Sequence, residues 1–466
     1  MTLGLTHDHL NSRTQNSPAQ DAASRRDFMK SLAIGTAGAG LASTFTAASY
    51  AKIQGANERV RIGVVGVRGM GFGHVRGYSG LKNVEVAAIC DVDENIIAQR
   101  LGDMDAKGLS RPATFIDLRD LLDDPTIDAI SVATPNHWHA LAGLWAVQAG
   151  KHATLEKPAT HNYFEGQQLI KASEKYDRLI QHHAERRTFA GHKSAVKFLH
   201  NGGLGEVYLA KGMCYKRRKT IRKAPVEPVP QGVHYDLWMG PAPKRPFTRN
   251  RFHYNWHWQW DYGNGDIGNQ GAHQMDIARW GLGVTLPTRI SSMGGHFMFD
   301  DDQETPNTQM SLFEFPNEQG GGDKKKMLQF EVRHWFSNPE GGLALRQEHN
   351  VGNIFYGSEG YMILDQGGNW QTYLGSGREL GPSGSGDGDM FQNFVDSIRA
   401  NDRTLLEGDI VEGHHSCALI HMANTSYRLG RTLQFDPQTE RYIGDEEANA
   451  MLTRDYRTPF VIPENV

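Results

Sequence analysis

The sequence predicts an α/β protein built from two domains. Between residues 60 and 155, short apolar runs alternate with helix-length segments, the pattern of parallel strands joined by crossover helices. Past residue 184 the alternation stops, and strand-like runs follow one another across glycine-rich loops. A glycine-rich turn also follows the first strand, and an acid ends the second. The chain of 466 residues is long enough for two full cores.

The first run, Val60 to Val65, is apolar but for Arg61 near its start, as a strand buried on both faces is. Gly66, Arg68, Gly69, Met70 and Gly71 follow it and lead into a helix-length segment. Such a turn lets the backbone approach a pyrophosphate, and the helix N-terminus presents free amides to it. Gly66 is expected to make the tight turn and Gly71 the close helix–strand contact. Arg68 stands where the middle glycine of G-x-G-x-x-G belongs, so Gly69 takes over the close approach and Arg68 is placed to reach a phosphate. The second strand, Val84 to Cys90, ends at Asp91. An acid there accepts hydrogen bonds from ribose hydroxyls and repels a 2′-phosphate, which favours NAD over NADP. A strand from Asp128 to Ala133, a helix from His139 to Gln148 and a strand from His152 to Leu155 complete a Rossmann domain over 52–183.

The second domain, 184–466, is expected to be α+β with a large, mostly antiparallel open sheet. Its strand-like runs are Glu206 to Lys211, Gln309 to Phe315, Lys326 to Trp335 and Gly360 to Asp365. Gly320 to Lys324 and Gly375 to Gly388 read as loops, and Gly413 to Leu429 as a closing helix. The tail, 431–466, is expected to pack over the surface of the fold.

Residues 1–51 read as an address. A polar stretch leads to Arg25-Arg26-Asp27-Phe28-Met29-Lys30, a weakly apolar Ala/Gly segment, and a small-residue exit at Ala47 to Ala51. This resembles a twin-arginine signal peptide, and the segment is too weakly apolar for a membrane span. It implies the twin-arginine export machinery as a partner and a periplasmic or otherwise exported protein. That route carries folded proteins, so the address also predicts a tightly held cofactor.

Lys plus Arg is 49 and Asp plus Glu is 53, a net charge of −4, which leaves no footprint for nucleic acid or an anionic membrane. Three cysteines, Cys90, Cys214 and Cys417, cannot form a disulfide framework, and no His/Cys cluster has zinc-site spacing, so no metal is expected.

Three further segments are more specific. They are Thr134-Pro135-Asn136-His137-Trp138-His139, Glu156-Lys157-Pro158, and Gly265 through Asp276 with Asn269 and His273 inside it. Their order and spacing resemble the Gfo/Idh/MocA oxidoreductases, from about Val60 to the C-terminus. The resemblance implies a cofactor site that includes Thr134, Pro135, Asn136, His139, Glu156 and Lys157. It implies Lys157 between nicotinamide and substrate, with Pro158 in the cis form, and His273 as the proton-transfer group. It also implies a homodimer or homotetramer. Many members carry an Asp four residues before that His; here Asn269 stands there. Asn cannot take a proton, so its expected role is to orient substrate or His273. Asp276, one turn beyond His273, either holds the imidazole or serves structure.

Between Arg251 and Tyr262 lie three Trp, two Tyr and two His. Aromatic faces pack on the C–H faces of sugar rings, so this reads as a carbohydrate pocket, with a domain-interface core as the alternative. Tyr254, Trp256, His257 and Trp258 are the candidate substrate contacts, joined by Asp276 and by Arg186 at the domain junction; His183 is a further candidate there. The basic run Tyr215 to Lys219 reads as a solvated loop, or alternatively as a rim that attracts an acidic sugar. The leading functional expectation is reversible oxidation of a secondary hydroxyl on a sugar or glycoside. Redox-neutral glycoside cleavage and a non-catalytic nucleotide sensor or scaffold are the alternatives. The Asn136-His137-Trp138-His139 and Glu156-Lys157-Pro158 segments favour the plain dehydrogenase.

Overall fold

The computed structural model describes residues 59–316, 324–336, 339–340, 342 and 349–466. The N-terminal address and nearly all of the Gly320–Lys324 loop lie outside the described residues.

The first half alternates as the sequence predicts. It runs β1 (Val60–Val65), α1 (Met70–Ser79), β2 (Val84–Cys90), α2 (Glu94–Ala106), β3 (Ala113–Phe115), α3 (Leu118–Leu122), β4 (Ala129–Val132), α4 (Asn136–Gln148), β5 (His152–Leu155), α5 (Tyr163–Tyr176) and β6 (Ile180–His182). The six strands pair in parallel in the order β3-β2-β1-β4-β5-β6. Between β1 and β4 the winding reverses, and a crevice opens beyond their carboxyl ends. The sequence reading lacks β3 and β6, which at three residues each are too short to show a period. Helix α4 starts three residues earlier than expected: Pro135, still extended at φ −59° and ψ 154°, is its N-cap, and the helix begins at Asn136.

The second half holds α6 (Ala190–His200), β7 (Val207–Lys216), α7 (Tyr235–Met239), α8 (Gly265–Asn269), α9 (Gly271–Leu282), β8 (Arg289–Gly295), β9 (Thr308–Pro316), β10 (Lys325–Arg333), β11 (His349–Gly357), β12 (Gly360–Asp365), β13 (Trp370–Leu374) and β14 (Glu379–Gly384). After these come α10 (Met390–Ala400), α11 (Ile410–Leu429), β15 (Leu433–Asp436), β16 (Arg441–Tyr442) and α12 (Glu446–Ala450). The sheet has ten strands in the order β14-β13-β12-β11-β7-β10-β9-β8-β15-β16. Only β7 and β10 run parallel; the other pairs are antiparallel. Helices α6, α9 and α11 cover one face with a single core. The other face shows Tyr208, Met310, Leu312 and Met327 to solvent. The segment Gly375 to Gly388, expected as a loop, contains β14. Gly381 and Gly384 there lie against Thr372 and the Trp370 indole, where a Cβ would come within 2.6 Å, so these glycines serve close approach.

The chain then returns to the first sheet. Phe394, Val395 and Leu406 pack with Val60, Val64 and Tyr78. Helix α11 is capped by Asp409, whose side chain accepts from Val411 N, and ends at Gly430 with φ +65°. Its Ile410 and Cys417 belong to the first-sheet core, and its Ala418, Leu419 and Ile420 to the second. The tail does more than lie over the surface. Strand β15 pairs with β8, and Phe460 and Ile462 enter the first-sheet core, Phe460 edge-on to Trp138 at 5.4 Å. All three cysteines are buried and free.

Phe460→Ala is expected to cost about 3 kcal/mol by opening a cavity beside Trp138, read from denaturant unfolding. Burial pushes the rings of His137, His183, His192 and His421 down to about 3, and His182 to about 4. The unfolded chain binds these protons near the ordinary 6.5, whereas the folded chain refuses them until pH 3 to 4. The stability these rings contribute is therefore fully present above about pH 6.5 and is lost as pH falls from there toward 3 to 4. Each ring removes up to about 1.4 kcal/mol per pH unit, so unfolding midpoints should drop steeply between neutral and mildly acid buffers.

Candidate active site

One cavity of about 520 Å³ runs from the first βα turn to helix α9. At one end lie Gly66, Arg68, Gly69, Met70 and Asp91. Gly66 turns at φ +80°, and α1 sits so close that a Cβ on Gly71 would meet Gly66 O at 1.8 Å. Gly71 thus makes the predicted helix–turn contact, from beneath the cavity wall. Gly69 caps α1 without a side-chain hydrogen bond and the first turn carries no acid, so beyond Phe72 N, which turns back to Gly69 O at 3.2 Å, the first amides of the helix are left open at this end of the cavity. Asp91 accepts from Val67 N at 2.8 Å and Asp93 N at 3.1 Å, and burial raises its carboxyl to about 6. Turn, open amides and acid together fit a dinucleotide.

Thr134, Pro135, Asn136, His139, Glu156 and Lys157 line the middle of the cavity. His139 bridges Thr134 O (2.8 Å) and Pro158 O (2.7 Å), which ties the α4 turn to the Glu156-Lys157-Pro158 segment. The Lys157–Pro158 bond is cis. His137 Nε2 meets Trp238 O at 2.9 Å, and Trp138 Nε1 donates to Leu237 O at 3.0 Å. These two residues therefore anchor α7, part of a segment that crosses above the cavity. Glu156 takes His74 Nε2 at 3.2 Å and Lys157 N at 3.0 Å. Burial would raise its carboxyl, but His74, His183 and Lys157 hold it well below the usual range. His74, Glu156 and His183 place possible ligand atoms within 4.8 Å of one another, the nearest approach to a cation site among the described residues. Within it, His74 and Glu156 already bond each other.

The third segment forms α8 and α9, broken at Gln270. Lys157 Nζ donates to Asn269 O (2.8 Å) and Asn269 Oδ1 (3.1 Å), while Asn269 Nδ2 donates to Asp266 (2.8 Å). Asn269 thus orients Lys157 rather than His273. Burial pushes the Lys157 ammonium below the usual lysine range, against the pull of Glu156. His273 lines the cavity with Nδ1 unpartnered. Burial first, then Arg186, Lys157 and Lys216, push it well below 6.5, so the ring is neutral and able to accept a proton.

Asp276 is not a substrate residue here. Its carboxylate is buried under Arg187 Nε (2.9 Å) and Nη2 (2.8 Å) and Ser416 Oγ (2.6 Å), turned away from the cavity. Trp258 is also displaced from the site: it is buried between Arg218 and His334. The aromatic segment divides. Trp258 and Tyr262 are core and Phe252 is buried at the cavity wall, whereas Tyr254, Trp256 and His257 face the cavity, with the Trp256 and His257 rings stacked at 3.6 Å. Arg186 lines the cavity as expected. The basic run is no solvated loop: Lys216 ends β7, Arg218 is held by Asp266 at 3.0 and 2.9 Å, and both reach the cavity. Glu185 and Gln270 also line it, and nothing in their local sequence marks them.

A model of an oxidoreductase family with an NAD-binding Rossmann fold matches residues 60–183. The model of that family's C-terminal α/β domain matches 208–292 and 386–462, and together they span more than half of the chain. The chain belongs to the Gfo/Idh/MocA family. The first domain of this Gfo/Idh/MocA oxidoreductase binds NAD. A "Glycosyl hydrolase family 109 protein" from Shewanella pealeana is 33% identical over 122 residues, 25% of this chain and 27% of that protein. Another from Shewanella baltica is 30% identical over 169 residues, 32% of this chain and 37% of that protein. The chain thus spans about a third of the length of the curated relatives it matches. The WlbA dehydrogenase from Bordetella pertussis, solved with NADH and UDP-GlcNAcA, shares the fold at TM-score 0.58 and 18% identity, covering 81% of this chain and 99% of that one. Levoglucosan dehydrogenase, solved with NADH and levoglucosan, does so at TM-score 0.61 and 16% identity, covering 81% and 99%.

Asn269→Ala removes the side-chain oxygen that holds the Lys157 ammonium and leaves only the backbone carbonyl, and is expected to lower kcat about tenfold while leaving the NAD dissociation constant unchanged. Asp91→Ser is expected to weaken NAD and strengthen NADP; fluorescence titration with both nucleotides reads the ratio.

Proposed function

We propose that this protein is an exported oxidoreductase that uses NAD to oxidise or reduce a secondary hydroxyl of a sugar, glycoside or sugar derivative. The observation that supports it best is the convergence of Lys157, His273 and the stacked Trp256 and His257 on the cavity that begins at the NAD turn. Bound NAD supplies hydride acceptance and donation. Lys157, held by Asn269, polarises the substrate oxygen and steadies the charge that develops on it. His273 takes the hydroxyl proton when the alcohol is oxidised and returns it when the ketone is reduced. Trp256 and Tyr254 offer faces for the sugar ring.

The Arg25-Arg26 pattern supports twin-arginine export to the periplasm, with the enzyme folded and NAD already inside. The covering segment supports retention of the cofactor. Glu94 N donates to Gly232 O (2.9 Å), His234 N donates to Val92 O (2.8 Å), and His234 Nε2 meets Glu94 at 2.7 Å. The apolar side chains on the open face of the large sheet support a homodimer or homotetramer.

The relatives named glycosyl hydrolase family 109 favour a second reading. In it the sugar's hydride passes to NAD while the same residues hold the sugar and move its proton, the aglycone leaves by elimination beside the ketone, water adds to the resulting enone, and the hydride returns to the ketone.

The deciding experiment purifies the exported protein without added nucleotide, identifies what denaturation releases, then offers nitrophenyl glycosides and free sugars. Keto-sugar formation with a change in nicotinamide absorbance supports the oxidoreductase, and aglycone release without net change supports the second reading. A protein that neither carries nor binds NAD sinks both. Lys157→Ala and His273→Ala should each lower kcat about a hundredfold. Because His273 works as a base and its pKa lies well below 6.5, kcat/KM should stay level as pH falls through the ordinary histidine range and decline only at lower pH.

A further inference from the structure

The cavity holds more positive charge than the chemistry above uses. Lys157, Arg186 and Lys216 all line it, and among the described residues none of the three is ion-paired. Each rests on a neutral amide instead. Lys157 donates to Asn269, Lys216 to the Gln270 side-chain oxygen, and Arg186 Nη1 to Gln274 with that amide's oxygen turned toward the guanidinium. Their neighbours differ. Arg187 binds Asp276 and Glu412, Arg279 binds Glu412, and Arg218 binds Asp266. Arg186 is only 6% exposed, and its Nε has no partner.

A guanidinium is expensive to bury without an anion. The consecutive arginines of the turn after β6 show how the fold handles this. Arg187 turns back to a buried carboxylate, and Arg186 turns forward into the cavity. Of the nearby carboxylates, Glu156 is committed to His74 and the Lys157 amide. Glu185 lines the wall without pairing to Arg186. Lys157 is engaged with the reacting oxygen, which leaves Arg186 and Lys216 against Glu185, a surplus of one positive charge.

We propose that the substrate is an acidic sugar, and that Arg186 with Lys216 holds its carboxylate while its reacting hydroxyl faces Lys157 and His273. The proposal rests on the sugar oxidoreductase reading. One negative charge balances the surplus, whereas a phosphate dianion exceeds it. A planar carboxylate also accepts two parallel N–H bonds from a guanidinium fork. Arg186 is then a specificity-determining residue.

The test uses the NAD-loaded enzyme and matched pairs of methyl glycosides, a hexuronoside and its neutral hexoside in the gluco, galacto and manno series, with hexose phosphates beside them. Dissociation constants come from calorimetry and kcat/KM from keto-sugar formation. In the series that binds, the hexuronoside should exceed the neutral partner by about a hundredfold. Arg186→Met and Lys216→Met should collapse that ratio, chiefly through KM, in protein that still carries NAD. Neutral glycosides that bind as well as the acids, a preference for the phosphates, or a ratio that survives both substitutions overturns the proposal. Those results leave the oxidoreductase reading intact, because neutral or phosphorylated sugars still turn over. Loss of that reading shows separately, as a protein that takes up no NAD.

Discussion

Lys157 Nζ lies 2.8 Å from the carbonyl of Asn269 and 3.1 Å from its side-chain oxygen. The lysine follows a strand of the first sheet, and the asparagine ends a helix beside the second sheet. The pair is therefore the joint at which the two halves of the cavity are set against each other. Much of the surrounding structure holds that joint in place. His74 fixes the Glu156 carboxylate behind the lysine, and His139 fixes the carbonyl of Pro158 after it. On the far side Asp266, gripped by Arg218 and His334, receives the Asn269 amide. An ammonium taken out of water needs its donors satisfied and its charge answered; two oxygens of one residue and a nearby carboxylate provide both.

The parts legible in the sequence are those written in local patterns. Val60 to Val65, Val84 to Cys90 and His152 to Leu155 fall where their apolar runs place them, because a doubly covered parallel strand has nothing but apolar neighbours. Gly66 and Gly71 are legible because the turn leaves no room for a Cβ at either position. The parts that were not legible depend on distant partners. Asp276 and Trp258 look like site residues by spacing alone. Arg187, Ser416 and His334 draw them into the interior, and those residues lie far away in sequence. Lys216 and Arg218 fail in the opposite sense. A run of charges reads as surface until Asp266 and Gln270, about fifty residues on, come to meet it.

The segment Asn136-His137-Trp138-His139 shows how one short motif divides its labour. Its first and last residues face or brace the cavity, and its middle two grip α7 through backbone carbonyls of the second domain. A motif that signals a cofactor site is thus half a cofactor site and half a fastening for what covers it. The aromatic segment divides in the same way, with Tyr262 in the core and Trp256 on the cavity wall.

Helix α11 passes through both cores without a break, its first two turns packed under one sheet and its middle under the other. Rotating one domain against the other about a hinge would shear that packing along its length. The two sheets consequently behave as one rigid block, and the cavity has no clamshell to open. What the fold leaves free to adjust is local: the short turn from His253 to Trp258 lends Tyr254, Trp256 and His257 to the cavity wall, and their side chains can shift without disturbing either core.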